Sequence, residues 1–307
     1  MAVKVVCIGS VLVDEIYTAK SSLIKGTSNP VVFQKKVGGV MTNIAQHLAM
    51  LEIDVELITV FGNDTDANFI ANELLKKNVG LTHAFYTDSL TGKYVCLLSP
   101  DGSLYTAVVT DSIEQQLTPD KLSKHAQVIN NADIVVADTN LSKDTLQWLI
   151  QYCRQNVVRL IIEPVSVPKA AKLQRMDLEG VYMITPNEEE LMAIFENKIN
   201  GDENKVQLLK KSGVNMIWIR KGVGGSEMII EDGSSIHLDA TNLAIKDATG
   251  AGDAALAAWI FSNLHGETTL NAMRAGHALA FEVLQQVGAV MEELNVERLQ
   301  QIIKKYY

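Results

Sequence analysis

Cysteine is too scarce and too scattered in this chain to build a disulfide framework or a thiolate metal site. Its three cysteines, Cys7, Cys96 and Cys153, lie far apart in apolar contexts and never at metal-ligand spacing. That usage fits a reduced, cytoplasmic protein. Basic residues are also in short supply: 27 Lys and Arg face 36 Asp and Glu, a net charge of −9. A nucleic-acid polymer would need clustered positive charge, so it is excluded as the expected partner, and any anionic ligand must be met locally. Long hydrophobic runs are missing too. The run Val5 to Val13 is broken by Gly9 and closed by Asp14, far short of the roughly 20 apolar residues of a membrane span and unlike a cleavable leader. No internal repeat, low-complexity tract or interdomain linker interrupts the chain. With 47% hydrophobic residues in 307, the chain can bury one large core or two modest ones, and length alone does not choose; with no linker found, residues 1–307 are expected to form a single domain.

What the chain does have is concentrated near its C-terminal third. Lys246-Asp247-Ala248-Thr249-Gly250-Ala251-Gly252-Asp253 precedes the apolar run Ala254 to Phe261, which describes a tight turn feeding a helix with Asp253 in its first turn. Free amides at such a helix start, reinforced by the helix dipole, attract an anion. An acid beside an anion site would repel the ligand unless the acid is a base. In phosphoryl transfer a hydroxyl must lose its proton while charge gathers on the phosphoryl oxygens, so base and anion hole belong together. Taken alone, the tetrapeptide reads equally well as a turn and a helix cap.

Elsewhere strands and helices alternate. Val3 to Ile8, Ile53 to Val60, Asp133 to Ala137, Val157 to Ile162 and Met216 to Arg220 read as strands, with helices over Ala67 to Lys77 and, capped by Ser142, over Lys143 to Gln155. This pattern implies an α/β fold: a mostly parallel sheet sandwiched between helices in three layers. Ligands of such sheets bind beyond the carboxyl ends of the strands, where Asp14, Asp138 and Glu163 fall, although acids in solvated loops would look the same. Gly38-Gly39 before the helix carrying Asn43 allows a close backbone approach to a ligand, or only a bend. Asn187 and Glu190 have capping-box spacing. Lys221 to Gly225 reads as a hairpin turn and not a Walker loop. Short β segments at about 15–37 and 84–110, with a hairpin at Pro100-Asp101-Gly102, are expected to form a small lid. Such a layer is rarely stable alone, so it should cover a site or pair with a second copy.

The octapeptide resembles the signature Asp-Thr-x-Gly-Ala-Gly-Asp of the ribokinase-like (PfkB) carbohydrate and nucleoside kinases, with Ala248 in place of the usual threonine, and the likeness extends over nearly the whole chain with the motifs in order. The resemblance implies the ribokinase-like three-layer α/β/α fold and an ATP-dependent kinase acting on a small sugar or nucleoside. It makes Asp253 the base and Gly250, Ala251 and Gly252 the anion hole. Asp14, Gly38, Gly39 and Asn43 become sugar-hydroxyl partners with Asp138 at the same rim, and Ser28 and Asn29 join the lid in recognising the base. Asn187, Gly222 and Gly225 flank the nucleotide. Glu190 acts on Mg²⁺ indirectly, and Asp247 matches an acid near a possible K⁺ site. A homodimer through the lid is expected. Ser28-Asn29-Pro30, Gly38-Gly39-Val40, Asn43 to Gln46, Val136 to Ser142 and Pro164-Val165-Ser166 are most similar to the bacterial pseudouridine kinase branch, which implies transfer to the 5′-hydroxyl of pseudouridine. Two departures from that branch are Met41-Thr42, where Gly-Arg is usual, and Glu163, where Asp is usual. A second reading is another sugar or nucleoside kinase on the same scaffold. A ligand-binding regulator that kept the fold is a third, and the intact Asp253 with its glycines weighs against it.

Overall fold

The structure is a computed structural model that describes residues 4–110, 113–195, 207–208 and 211–307. Val3, expected to open the first strand, lies outside them. In chain order the strands are β1 (Lys4–Ile8), β2 (Leu12–Ala19), β3 (Val31–Gly38), β4 (Asp54–Ile58), β5 (Val60–Phe61), β6 (Phe85–Tyr86) and β7 (Lys93–Leu98). They continue with β8 (Leu104–Val109), β9 (Ile134–Asp138), β10 (Arg159–Glu163), β11 (Met183–Ile184), β12 (Met216–Arg220), β13 (Ser226–Ile230) and β14 (Ser235–Leu238). Eight of them form the central sheet in the order β14-β13-β12-β11-β10-β9-β1-β4. Every pairing from β4 across to β12 is parallel, and only β12-β13 and β13-β14 are antiparallel.

Period-two alternation explains why the parallel strands read as unbroken apolar runs. Val5, Cys7, Val55, Leu57, Ile134 and Val136 enter one core with the helices Val40–Met50, Thr65–Lys76 and Ala251–Leu264. Val6, Ile8, Ile58, Val135 and Ala137 enter the other, with the helices Lys143–Gln155 and Glu188–Ile194. A sheet buried on both faces has no polar side to show. Burying each large aliphatic side chain contributes about 1.5–3 kcal/mol, so these two layers dominate the stability.

The remaining long strands form a separate four-stranded sheet in the order β3-β2-β7-β8, in which β2 and β7 run parallel and the other pairs antiparallel. Its bounds differ from the expected segments. The sheet begins at Leu12, so Asp14 lies on a strand and not in a loop after β1. Residues 84–92 are outside it: Phe85 and Tyr86 pair in parallel with Val60 and Phe61, drawn there by amide bonds from Phe85 to Thr59 and from Thr87 to Phe61. The Pro100-Asp101-Gly102 turn does join β7 to β8, with Gly102 at a φ of 85°.

Candidate active site

The carboxyl ends of β9, β10 and β12 bring three charged side chains to one rim. Asp138 and Glu163 are register neighbours, and Arg220 ends β12. Asp138 is fully buried, and its oxygens accept the Ser10 amide, the Ser10 hydroxyl and the Asn140 amide. Burial raises its pKa against those bonds. Oδ2 thus holds the turn after β1 and Oδ1 the turn after β9, and Gly9 is needed because a Cβ there would run into the carboxylate.

The helix Ala251–Leu264 starts on the same side. Gly250 caps it in a left-handed conformation, φ 76°, and its α-carbon faces Ala289, whose backbone leaves no room for a Cβ. Asp253 falls in the first turn and is 8% exposed. Its Oδ2 accepts a hydrogen bond from Asn43 Nδ2 at 2.8 Å. Burial pushes the Asp253 carboxyl up to about 7, Glu163 and Asp138 add to the rise, and Asn43 and Arg220 oppose it. A base poised near neutrality is well matched to removing a hydroxyl proton. The other amide atom of Asn43, Oδ1, is buried with no hydrogen-bond partner. Such an atom is costly to leave unmet and marks a place for a ligand donor.

Gly38 and Gly39 end β3 and cap the helix Val40–Met50. Gly39 has a φ of 102° and passes the Ser10 carbonyl too closely for a side chain, and a Cβ on Gly38 would overlap the Asp14 carboxylate. Asp14 is therefore pressed against the Gly-Gly turn that leads to Asn43. Burial raises its pKa to about 6, partly offset by Lys36 across the strand pair. Thr42 and Met41, the departures noted in the sequence, are both fully buried, and the Thr42 hydroxyl donates to the Gly38 and Gly39 carbonyls at 2.6 Å.

Around the nucleotide candidates, Asn187 and Glu190 form a complete capping box: Asn187 Oδ1 accepts the Glu190 amide and Glu190 Oε2 accepts the Asn187 amide. Glu190 is buried, and burial raises its pKa against the Asn187 bond, with Glu163 adding repulsion. Gly222 and Gly225 both take positive φ; a Cβ on Gly225 would strike the Leu238 carbonyl, whereas Gly222 faces open space. Asp247 is partly buried, which raises its pKa, but bonds from Thr249 and the Gly288 amide outweigh this and hold it below the usual range. Ser28 is exposed, and Asn29 spends its amide on Ile24 and Thr27 within its own loop.

Two residues stand out only in three dimensions. Arg220 Nη2 donates to both oxygens of Glu163 at 2.7 Å and to the Thr185 carbonyl. His47 bonds the Asn43 carbonyl through Nδ1 at 2.9 Å and accepts the Met291 amide at Nε2, which ties the Asn43 helix to the segment packed on Gly250. Neither carries a motif; polar residues inside otherwise apolar stretches were the only signal.

A buried amide with an unmet oxygen, a buried carboxyl raised to near neutrality and a glycine-lined helix start, set together on the rim of a parallel α/β sheet, suit a phosphotransferase. The chain belongs to the pfkB family of carbohydrate kinases, whose sequence profile matches residues 2–294. It is thus an ATP-dependent kinase of a sugar or nucleoside hydroxyl. It is similar to the pseudouridine kinase of Escherichia coli (strain K12), 28% identical over 260 residues that span 82% of this chain and 81% of that protein. It is also similar to the guanosine-inosine kinase of Exiguobacterium acetylicum, 25% identical over 301 residues, with 95% and 98% covered. A carbohydrate kinase from Agrobacterium tumefaciens shares the fold with a TM-score of 0.87 at 24% identity, covering 98% of this chain and 97% of that one. Among the described residues, no helix is long and apolar enough to cross a membrane.

Proposed function

We propose that the chain phosphorylates the 5′-hydroxyl of pseudouridine. The observation that carries this reading is the Asn43–Asp253 pair, in which one buried carboxylate is held by Asn43 Nδ2 while Asn43 Oδ1 waits for a donor. Asp14 and Asn43 take the ribose hydroxyls, and Asp253 accepts the proton of the attacking hydroxyl. The new bond joins that oxygen to the γ-phosphorus as the bond to the ADP oxygen breaks, and the amides of Gly250 to Gly252 receive the charge on the phosphoryl oxygens. A nucleoside is favoured over a free sugar because Tyr94 lies opposite Asp14 in the strand register and Cys96 follows on the same face. That gives a planar base an aromatic and apolar neighbour. The likeness to the E. coli pseudouridine kinase supports the choice of base.

Among the described residues, no group of three or more His, Cys, Asp or Glu side chains is arranged to hold a metal. Mg²⁺ fits nonetheless, since it keeps most of its waters and needs only one or two carboxylates beside the substrate phosphates. The buried Glu190, its charge opposed by Glu163, is the side chain to hold it through water. Mg²⁺ would neutralise phosphate charge there. K⁺ beside Asp247 would share that carboxylate with the Thr249 and Gly288 amides, steadying two turns without entering the reaction.

The test is ADP release measured with pseudouridine, uridine, guanosine, inosine, ribose and fructose at equal concentrations. Pseudouridine should give the highest kcat/KM. A purine nucleoside or ribose ahead of it by tenfold would replace the substrate while keeping the kinase.

A further inference from the structure

We propose that Arg220 is a catalytic residue that binds the transferring phosphoryl group, and that Glu163 is the residue that positions it. The proposal rests on the kinase reading above and adds a second charge donor to the glycine turn. All three hydrogen bonds described for the guanidinium leave from Nη2, to Glu163 Oε1, Glu163 Oε2 and the Thr185 carbonyl. The other nitrogen, Nη1, lies against Gly252, where a Cβ would overlap it. The cation is thus pressed onto the start of the Ala251–Leu264 helix, the positive end of that helix's dipole. Glu163, Glu190 and Asp253 offset the repulsion between these two positive ends, yet Nη1, the edge of the guanidinium turned to the helix start, has no hydrogen bond described for it. The convergence of the two ends makes sense if an anion enters between them, with the helix amides on one side and Nη1 on the other.

The neighbours fit this role. Arg220 is itself mostly shielded, its side chain 20% exposed, while Glu163 is 6% exposed. Glu163 fixes the fork on one edge and leaves the other free, as arginine's rigid planar donors permit and lysine's single ammonium would not. The glutamate at 163, where the related branch carries aspartate, gives the carboxylate one more methylene with which to reach across from β10 to β12. The absence of a side chain at Gly252 completes the fit from the opposite side. Two of the site's carboxylates then divide the work: Glu163 holds Arg220, and Asp253 is left for the hydroxyl proton.

Three variants of the full chain separate this role from a structural one. Arg220→Met alone strands a buried carboxylate and could unfold the protein, so it is made together with Glu163→Gln, which removes both charges. Gly252→Ala leaves Arg220 in place but pushes Nη1 from the helix start, and its backbone conformation admits alanine. Glu163→Gln alone keeps the cation and loosens its aim. With melting temperature as control, the double variant should lose about 10²–10³-fold in kcat, the usual effect of one charge-stabilising donor. Gly252→Ala should lose at least tenfold, and Glu163→Gln should lower kcat with little change in acceptor KM. Calorimetry needs no acceptor: affinity for a non-hydrolysable ATP analogue should fall at least fivefold more than affinity for ADP in the double variant. Folded double and Gly252→Ala variants with wild-type kcat, or equal changes for the two nucleotides, overturn the role of Arg220. If the wild type turns over no acceptor in the panel, the substrate reading fails while the nucleotide comparison still decides Arg220.

Discussion

Asp253 is the carboxyl whose protonation the proposed reaction depends on, and burial holds its pKa up to about 7. Replacing it by asparagine keeps its shape and removes its ability to take a proton, so turnover should fall about 10²–10⁴-fold. Nucleotide affinity should change far less, because the amides proposed to face the phosphates belong to the backbone. Single-turnover transfer with saturating substrates checks this, and an undiminished chemical rate would remove Asp253 from the reaction. Stability gives an independent readout. The folded pKa of about 7 lies above the ordinary carboxylate value, so between those values the native state holds more protons than the unfolded one. Stability from this group therefore declines as pH rises through that window. Asp253→Asn abolishes the decline, and its melting temperature should exceed that of the wild type at pH 8 but match it at pH 4. A base stored at the expense of stability is the expected trade at an active site. The glycine turn and the place of Asp253 in the first turn of the helix after it were legible from spacing and are there, whereas the roles of Asp253 and Asn43 came from the family resemblance, since each motif alone reads equally as a cap or a bend. Arg220 was not legible, since it ends an apolar strand, and its meaning comes from Glu163, 57 residues away, and from Gly252.

At the scale of single elements, the capping box at the start of Glu188–Ile194 shows how one pair of residues can satisfy two demands. The box was readable from spacing alone, and it is present. Whether Glu190 also acts on Mg²⁺ is separable, because glutamine can accept the Asn187 amide as glutamate does but carries no charge. Glu190→Gln should melt within a few degrees of the wild type, lose turnover and require more Mg²⁺ for half-maximal rate. Normal Mg²⁺ dependence would reduce Glu190 to a cap. The helix Val40–Met50 is likewise doubly tied, by Asn43 to Asp253 and by His47 to Met291. Burial holds His47 down to about 4, so between that value and its ordinary one the unfolded chain binds the extra proton, and the contact loses stability as pH falls through the window. The second sheet was less legible. Its strands alternate weakly, and its start at Leu12 lies in the short apolar stretch just after Gly9-Ser10, so pattern alone placed its boundary too late and swept in Phe85 and Tyr86.

The molecule as a whole leaves one sheet incompletely covered. On β8, Leu104, Tyr105, Val108 and Val109 are 59%, 59%, 64% and 62% exposed, and among the described residues β8 is the outer strand of the four-stranded sheet. Across the sheet, Phe33 and Val32 on β3 are also about half exposed. Both edges of a sheet expose unpaired backbone groups, and an apolar edge strand without a charged guard invites association. We propose that a second copy of the chain covers this surface, which would also steady β2 and with it Asp14. Sedimentation velocity should show a species near twice 33.6 kDa at micromolar concentration. Val108→Lys places a charge on the edge and should shift the protein towards the monomer, with the melting of the central sheet little changed. If the association supports the site, the same variant raises KM for the nucleoside through Asp14 while kcat, which the proposed mechanism ties to Asp253 at the start of the Ala251–Leu264 helix, changes much less. A wild type that sediments as a monomer at every concentration would remove the partner, and the exposed strand would then have to be covered by substrate closure alone.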